Sequence, residues 1–101
     1  MTAHWTTPIG KDVVSLNATL ADWLGTRLVF LATHTHSCPV TYIEAQASDA
    51  EGYAVWREDL LSNGRALMAF AAARKNGDDD HIEEAQDAMR WVADNLTSLW
   101  D

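Results

Sequence analysis

The segment Thr33-His34-Thr35-His36-Ser37-Cys38 carries the side chains with the clearest ligand chemistry in the chain. Imidazole nitrogen and thiolate sulfur are the donors that zinc prefers. In a strand His34 and His36 would share a face, whereas in a helix only His34 and Cys38 could converge on one ion. Either site needs a third ligand from elsewhere, and no spacing supplies it. These three residues are therefore weak metal candidates, and we expect no metal and no cofactor.

Other motifs that would indicate an enzyme are missing from the sequence. It has no glycine-rich phosphate loop, no nucleophile elbow, no two-histidine zinc motif and no Cys-x-x-Cys pair, so we do not predict an enzyme. A single cysteine cannot form an intramolecular disulfide, which is typical of cytoplasmic proteins. The longest purely apolar run, residues 28–32, is too short to span a bilayer. We therefore expect a cytoplasmic protein with no membrane partner.

The net charge narrows the class of partner. Fifteen acidic and seven basic residues give a net charge of −8, which disfavours direct binding to nucleic acid or to anionic lipid. Residues 1–43 are neutral overall, whereas residues 78–101 hold eight acidic residues and one arginine, a net charge of −7. A partner protein with a basic surface fits this distribution best.

The acidic side chains of the last segment have two explanations. A helical projection at about 100° per residue places Glu83, Asp87 and Asp94 in one row away from the apolar stripe, with Glu84 close by. The row is either a solvated face that keeps the protein soluble or a docking surface for a basic protein patch. The sequence leaves both open.

Five tryptophans are many for a core of this size. They are Trp5, Trp23, Trp56, Trp91 and Trp100. The apolar positions of their helices place Trp23, Trp56 and Trp100 in the core. Trp91 falls on the polar side of its helix, where it would either anchor an interface or be covered by the N-terminal segment. Trp5 is a second interface candidate, or a tether for the terminus.

Apolar residues at helical spacing mark most of the segments that hold these candidate residues. The last segment repeats apolar residues every three or four positions from Ile82 to Leu99, and a run of aspartates, 78–80, precedes it as a start signal. Ser48 and Glu51 form a capping-box pattern that predicts a helix through Lys75, with Gly77 as the stop. Residues 62–64, Ser-Asn-Gly, could break that helix in two.

The first third of the chain has two interpretations. In one, a helix continues through Gly25 to about Thr35 and is followed by a short helix at about 39–47. In the other, residues 28–45 form a β-hairpin packed on helices. We predict the all-α architecture, a bundle of three to five helices within one small acidic domain, 1–101, with the hairpin-containing α+β fold as the alternative.

The function predicted from these features is that of a small acidic protein that docks on a macromolecular partner and blocks or modulates it. Inhibitors, immunity proteins and phage anti-defence proteins act in this way. The residues expected to bind the partner are Trp91, Asp87, Glu83, Glu84, Asp94 and Trp5. The alternative is a self-associating helical module, a homodimer in which Trp91 is buried against a second copy. A metal-binding protein that uses His34, His36 and Cys38 is the third hypothesis.

Overall fold

The structure, a computed structural model, describes residues 7–10 and 15–100. Its main helices, in chain order, are α1 (Leu16–His34), α2 (Val40–Glu44), α3 (Asp49–Lys75) and α4 (Ile82–Asp94). A short 3₁₀ helix, Leu96–Ser98, follows α4, and within the described ranges no residue lies in a β-strand. The predicted all-α bundle is confirmed. The alternative hairpin at 28–45 is wrong, because these residues form the end of α1, a short connection and α2.

Helix α3 is the central element, and α1, α2 and α4 all pack against it. Its buried positions recur at intervals of three or four residues along its whole length. They are Gly52, Trp56, Leu60, Gly64, Leu67 and Ala71. These buried positions face the three neighbouring helices, so α3 positions the rest of the fold. The fold measures 57 × 25 × 20 Å.

The predicted ends of α3 are confirmed by its hydrogen bonds. The Ser48 side chain accepts a hydrogen bond from the backbone N–H of Glu51, at 3.2 Å. At the other end Gly77 has a φ of +79°. Its N–H donates to the carbonyl of Arg74 at 3.0 Å, and the N–H of Asp78 donates to that of Ala73 at 2.9 Å. The predicted weak point at 62–64 does not interrupt the helix.

Helix α1 continues through Gly25 because a close helix crossing needs a small residue there. A Cβ on Gly25 would lie 2.7 Å from the carbonyl oxygen of Gly64, and one on Gly64 would lie 2.9 Å from that of Gly25. The backbones of α1 and α3 therefore meet at these two glycines, where any side chain would force them apart. Beyond His34 the chain extends at Thr35 and turns into α2 at Pro39.

Helix α4 begins at Ile82, where its apolar repeat starts, but its cap and its last residue differ from the prediction. The aspartates 78–80 do not cap it, since His81 occupies the N-cap position with a φ of 69° and without a capping side-chain bond. Asp79 instead pairs with Arg74 at the end of α3. The helix ends at Asp94 rather than near Leu99, because the backbone tightens into the 3₁₀ turn.

Candidate interaction surface on helix α1

Helix α1 carries large apolar side chains on the side that faces away from α3. Leu16, Leu20, Trp23 and Phe30 are 53%, 45%, 54% and 63% exposed, respectively. With Arg27 and His34 they follow the 4-3-4-3-4 spacing that aligns residues along one face of a helix. We call these six residues the outer stripe. It extends for about 27 Å, at a rise of about 1.5 Å per residue.

The outer stripe lies opposite the face that α1 packs against α3. The buried residues of α1 are Ala21, Gly25, Leu28 and Ala32. Their mean direction is about 150° from that of the outer stripe, at about 100° per residue. Trp23 therefore points outward, and the expectation that it is a core residue is wrong. Trp100 is also exposed, at 63%, whereas Trp56 is fully buried as predicted.

Two polar side chains hold the aromatic rings of the outer stripe in place. The Arg27 guanidinium carbon lies 4.2 Å from the centre of the Trp23 ring, and Arg27 Nη1 donates to the Trp23 carbonyl at 3.0 Å. The His34 ring stacks on Phe30 with 3.9 Å between ring centres, and His34 Nδ1 lies 2.8 Å from the Phe30 carbonyl oxygen. A partner would thus meet aromatic side chains whose rotamer freedom is already reduced.

The outer stripe contains no acidic residue, and helix α1 as a whole holds one aspartate and one arginine, although the protein as a whole is strongly acidic. The ionisable residues of α1 are Asp22, Arg27 and His34. One edge of the stripe is flanked by threonines, Thr19, Thr26 and Thr33. A second molecule could therefore approach this face of α1 without meeting a row of like charges.

Trp91, expected to be either an exposed anchor or covered by the N-terminal segment, is half-buried against the core, and its role in binding a partner stays a prediction. Its ring centre lies 5.4 Å from that of Trp56, and its Nε1 donates to the Tyr42 hydroxyl at 3.1 Å. The residue is half-buried and packs against the core, because α2 brings Tyr42 to this side of α4. Ile9 is exposed, and the contacts with Tyr42 and Trp56 account for the partial burial of Trp91. Trp5 lies outside the described residues.

The Tyr42 hydroxyl joins α2, α3 and α4 in one polar contact. It donates to Asp59 Oδ2 at 2.6 Å while it accepts from Trp91. Burial raises the pKa of Tyr42 to about 12, with the hydrogen bond to Asp59 acting in the same direction. The indole Nε1 of Trp56, close to this contact, is buried and has no hydrogen-bond partner among the described residues. The cluster thus links three helices through one hydroxyl group.

The acidic side chains of α4 lie on the surface, as the projection placed them. Glu83, Glu84, Asp87 and Asp94 are all exposed. Asp87 pairs with Arg90 on the same helix. The remaining carboxylates are available to a partner, so docking on a basic surface stays a prediction.

The histidine and cysteine candidates do not form a metal site in the described part of the chain. His34 stacks on Phe30, the His36 carbonyl accepts from the Tyr53 hydroxyl at 3.3 Å, and Cys38 Sγ lies 3.6 Å from the Pro39 carbonyl oxygen. Burial raises the pKa of the Cys38 thiol, which disfavours the thiolate that a metal requires. Among residues 7–10 and 15–100 no three His, Cys, Asp or Glu side chains are grouped as metal ligands.

Two grooves adjoin the outer stripe near the N-terminal end of α1. The first, of about 490 Å³, lies between α1, α3 and α4, and its apolar lining includes Leu20, Phe70 and Met89. The second, of about 440 Å³, lies between α1 and the end of α3 and includes Trp23 and Arg27. Both grooves are open to the surface and widen the area that a partner on the stripe could contact.

Comparison with protein-family models, curated proteins and solved structures found no match to this chain. Among the helices that the structure describes, none combines the length and apolar character of a membrane-spanning segment.

Proposed function

We propose that this protein acts by binding protein and that the outer stripe of α1 is its contact surface. The observation that carries the proposal is the row of four large apolar side chains, 45–63% exposed, on the helix face opposite the core. Scattered exposed apolar residues are normal, but a contiguous row along one helix is typical of an interaction surface. A helix of this kind binds by laying its apolar face against another helix or groove.

Trp23 and Phe30 are the expected anchors of the interface. Large aromatic side chains contribute most of the binding energy in many protein interfaces, because they remove much apolar area from water. Arg27 and His34 already restrict these two rings. The ordering cost of binding is therefore lower than for free side chains.

The experiment compares partner capture by the wild-type chain with capture by a Trp23→Ser, Phe30→Ser variant. Both side chains are exposed, so the variant should keep the circular dichroism spectrum of the wild type. We expect the variant to retain at most about one tenth of the partner protein that the wild type retains. The partner counted here can be another protein or a second copy of the chain. Equal retention by the two chains would contradict the proposal.

A second candidate function is docking on a basic protein surface through the acids of α4. It is supported by the exposed carboxylates of Glu83, Asp87 and Asp94 and by the net charge of −8. The matched variant is Glu83→Gln, Asp94→Asn, which leaves the outer stripe intact. Loss of binding in this variant, with a strong salt dependence in the wild type, would favour α4 over α1. An inhibitor, immunity or anti-defence protein is the narrower case in which the bound partner also loses activity.

A further inference from the structure

We propose that the occupant of the outer stripe is the same stripe of a second copy, packed antiparallel across a two-fold axis that crosses the stripe at the height of position 25. The inference rests on the proposed function and names its partner. Positions 16, 20, 23, 27, 30 and 34 are symmetric about position 25. An antiparallel pair of α1 helices would therefore bring each of these positions opposite another position of the same stripe.

The side chains that meet in this arrangement are complementary. Trp23 faces Arg27 of the second copy, so the contact between guanidinium and indole seen within α1 at 4.2 Å is repeated between the chains. Leu20 faces Phe30, and Leu16 faces His34. Each pair of facing residues thus consists of one ring and one aliphatic or cationic side chain.

The parallel arrangement is disfavoured by Arg27. In a parallel pair each position meets its own copy, so two Arg27 guanidinium groups would meet near the middle of the interface. Two Phe30 rings and two His34 rings would also coincide. Like charges at the centre of a desolvated interface oppose binding, which selects the antiparallel pair.

The charge distribution favours a second copy over a basic partner. A molecule with a net charge of −8 repels its own copies unless they meet through a neutral face. In α1 one acidic residue, Asp22, is balanced by Arg27, whereas the acidic row lies on α4. The two acids in the grooves beside the outer stripe, Asp22 and Asp79, are accompanied there by Arg27, Arg74 and Lys75. A basic helix bound to the stripe would therefore find no net acidic rim.

The exposed area is sufficient for a reversible dimer. The four apolar residues expose roughly 500 Å² of surface, so two copies that buried all of it would remove about 1,000 Å² from water, the lower limit for a specific interface. Contacts from the adjoining grooves add to this area. We therefore expect a dissociation constant in the micromolar range rather than an obligate dimer.

The test of the dimer is sedimentation equilibrium of the full chain from about 5 to 500 μM, a range that brackets a micromolar dissociation constant. We expect the wild type to pass from monomer to dimer, and Phe30→Lys to weaken association at least about tenfold. Val40→Lys is the matched control, because Val40 is 64% exposed and belongs to α2 rather than to the stripe, so this variant should still dimerise. A wild-type chain that stays monomeric throughout, or a Phe30→Lys chain that dimerises normally, overturns the inference.

The orientation is tested by cross-linking in a Cys38→Ser background, which removes the one native cysteine. Chains with Leu20→Cys are mixed with chains with Phe30→Cys and treated with a short bismaleimide. The antiparallel pair predicts that the mixture cross-links well while each variant alone cross-links poorly. Efficient cross-linking of Leu20→Cys with itself would overturn the antiparallel arrangement.

The two proposals fail in different ways. In one outcome the wild type stays monomeric but captures another protein that the Trp23→Ser, Phe30→Ser variant does not capture. The dimer is then wrong and the proposed function stands. If neither self-association nor capture depends on the stripe, both are wrong.

Discussion

The backbones of Gly25 in α1 and Gly64 in α3 touch at the crossing of the two helices. A Cβ on Gly25 would lie 2.7 Å from the Gly64 carbonyl oxygen, closer than real Cβ contacts allow. The crossing fixes which side of α1 faces the core, because Gly25 must point at α3. Trp23 and Arg27, on the opposite side of the helix, therefore point away from it.

Replacement of Gly25 by alanine should destabilise the fold even though alanine is the better helix former. The added methyl group would contact Gly64 backbone and Met68 Cγ, at 2.7 and 2.9 Å, so α1 and α3 must separate. We expect a net loss of about 1–2 kcal/mol, because overpacking outweighs a helix-propensity gain of about 1 kcal/mol. Urea unfolding checks this, with Ser62→Ala, an exposed position of α3, as the control. A Gly25→Ala chain as stable as the wild type would contradict the tight crossing.

Gly77 should resist substitution for a different reason. Nothing lies within 4 Å of its added Cβ, but its φ of +79° disfavours residues with a side chain. We expect Gly77→Ala to cost about 1 kcal/mol. Gly77→Asn should cost less, because asparagine tolerates left-handed backbone. If the alanine and asparagine variants unfold at the same urea concentration, backbone conformation is not the cause.

Trp91 should contribute more to folding stability than Trp23, although the sequence placed Trp23 in the core and left Trp91 either exposed or covered. Trp91→Phe removes the hydrogen bond to Tyr42 and part of the packing on Trp56, so we expect a loss of about 1–2 kcal/mol in the free energy of unfolding. Trp23→Phe changes an exposed ring and should alter the stability of the monomer by no more than about 0.5 kcal/mol. Urea unfolding at low protein concentration separates the two. A larger loss for Trp23→Phe than for Trp91→Phe would contradict the packing of Trp91 against the core.

Local signals predicted much of the fold. The Ser48 and Glu51 cap and the Gly77 stop each depend on residues within a few positions of one another, so the sequence contains the whole interaction. The extension of α1 through Gly25 was one of two alternatives. What decides it is the packing of Gly25 against Gly64, 39 positions further along the chain.

The candidate site was harder to predict, because helix faces are chosen by tertiary contacts. Helix α1 is apolar on two sides, and the sequence alone favours neither Leu20 and Trp23 nor Ala21 and Leu28 as the buried set. The small residues Ala21 and Gly25 were the missed signal, since they permit the close approach that places the larger side chains outside. The sequence left the position of Trp91 open, because Tyr42, to which it donates a hydrogen bond, lies 49 positions away on α2.

Stability should fall as the pH rises from 10 to about 12, through the ionisation of Tyr42. Burial raises the pKa of Tyr42 from 10.0 to about 12 in the folded protein. Below pH 10 the hydroxyl is protonated in both states, so its contribution is complete. Between the two values the unfolded chain loses the proton while the folded chain retains it, which favours unfolding. Thermal unfolding across this range should show a steeper decline for the wild type than for Tyr42→Phe. Parallel declines in the stability of the wild type and of Tyr42→Phe would contradict this role of Tyr42. Asp59→Asn should lower the pKa of Tyr42, so tyrosinate absorbance should rise at a lower pH than in the wild type.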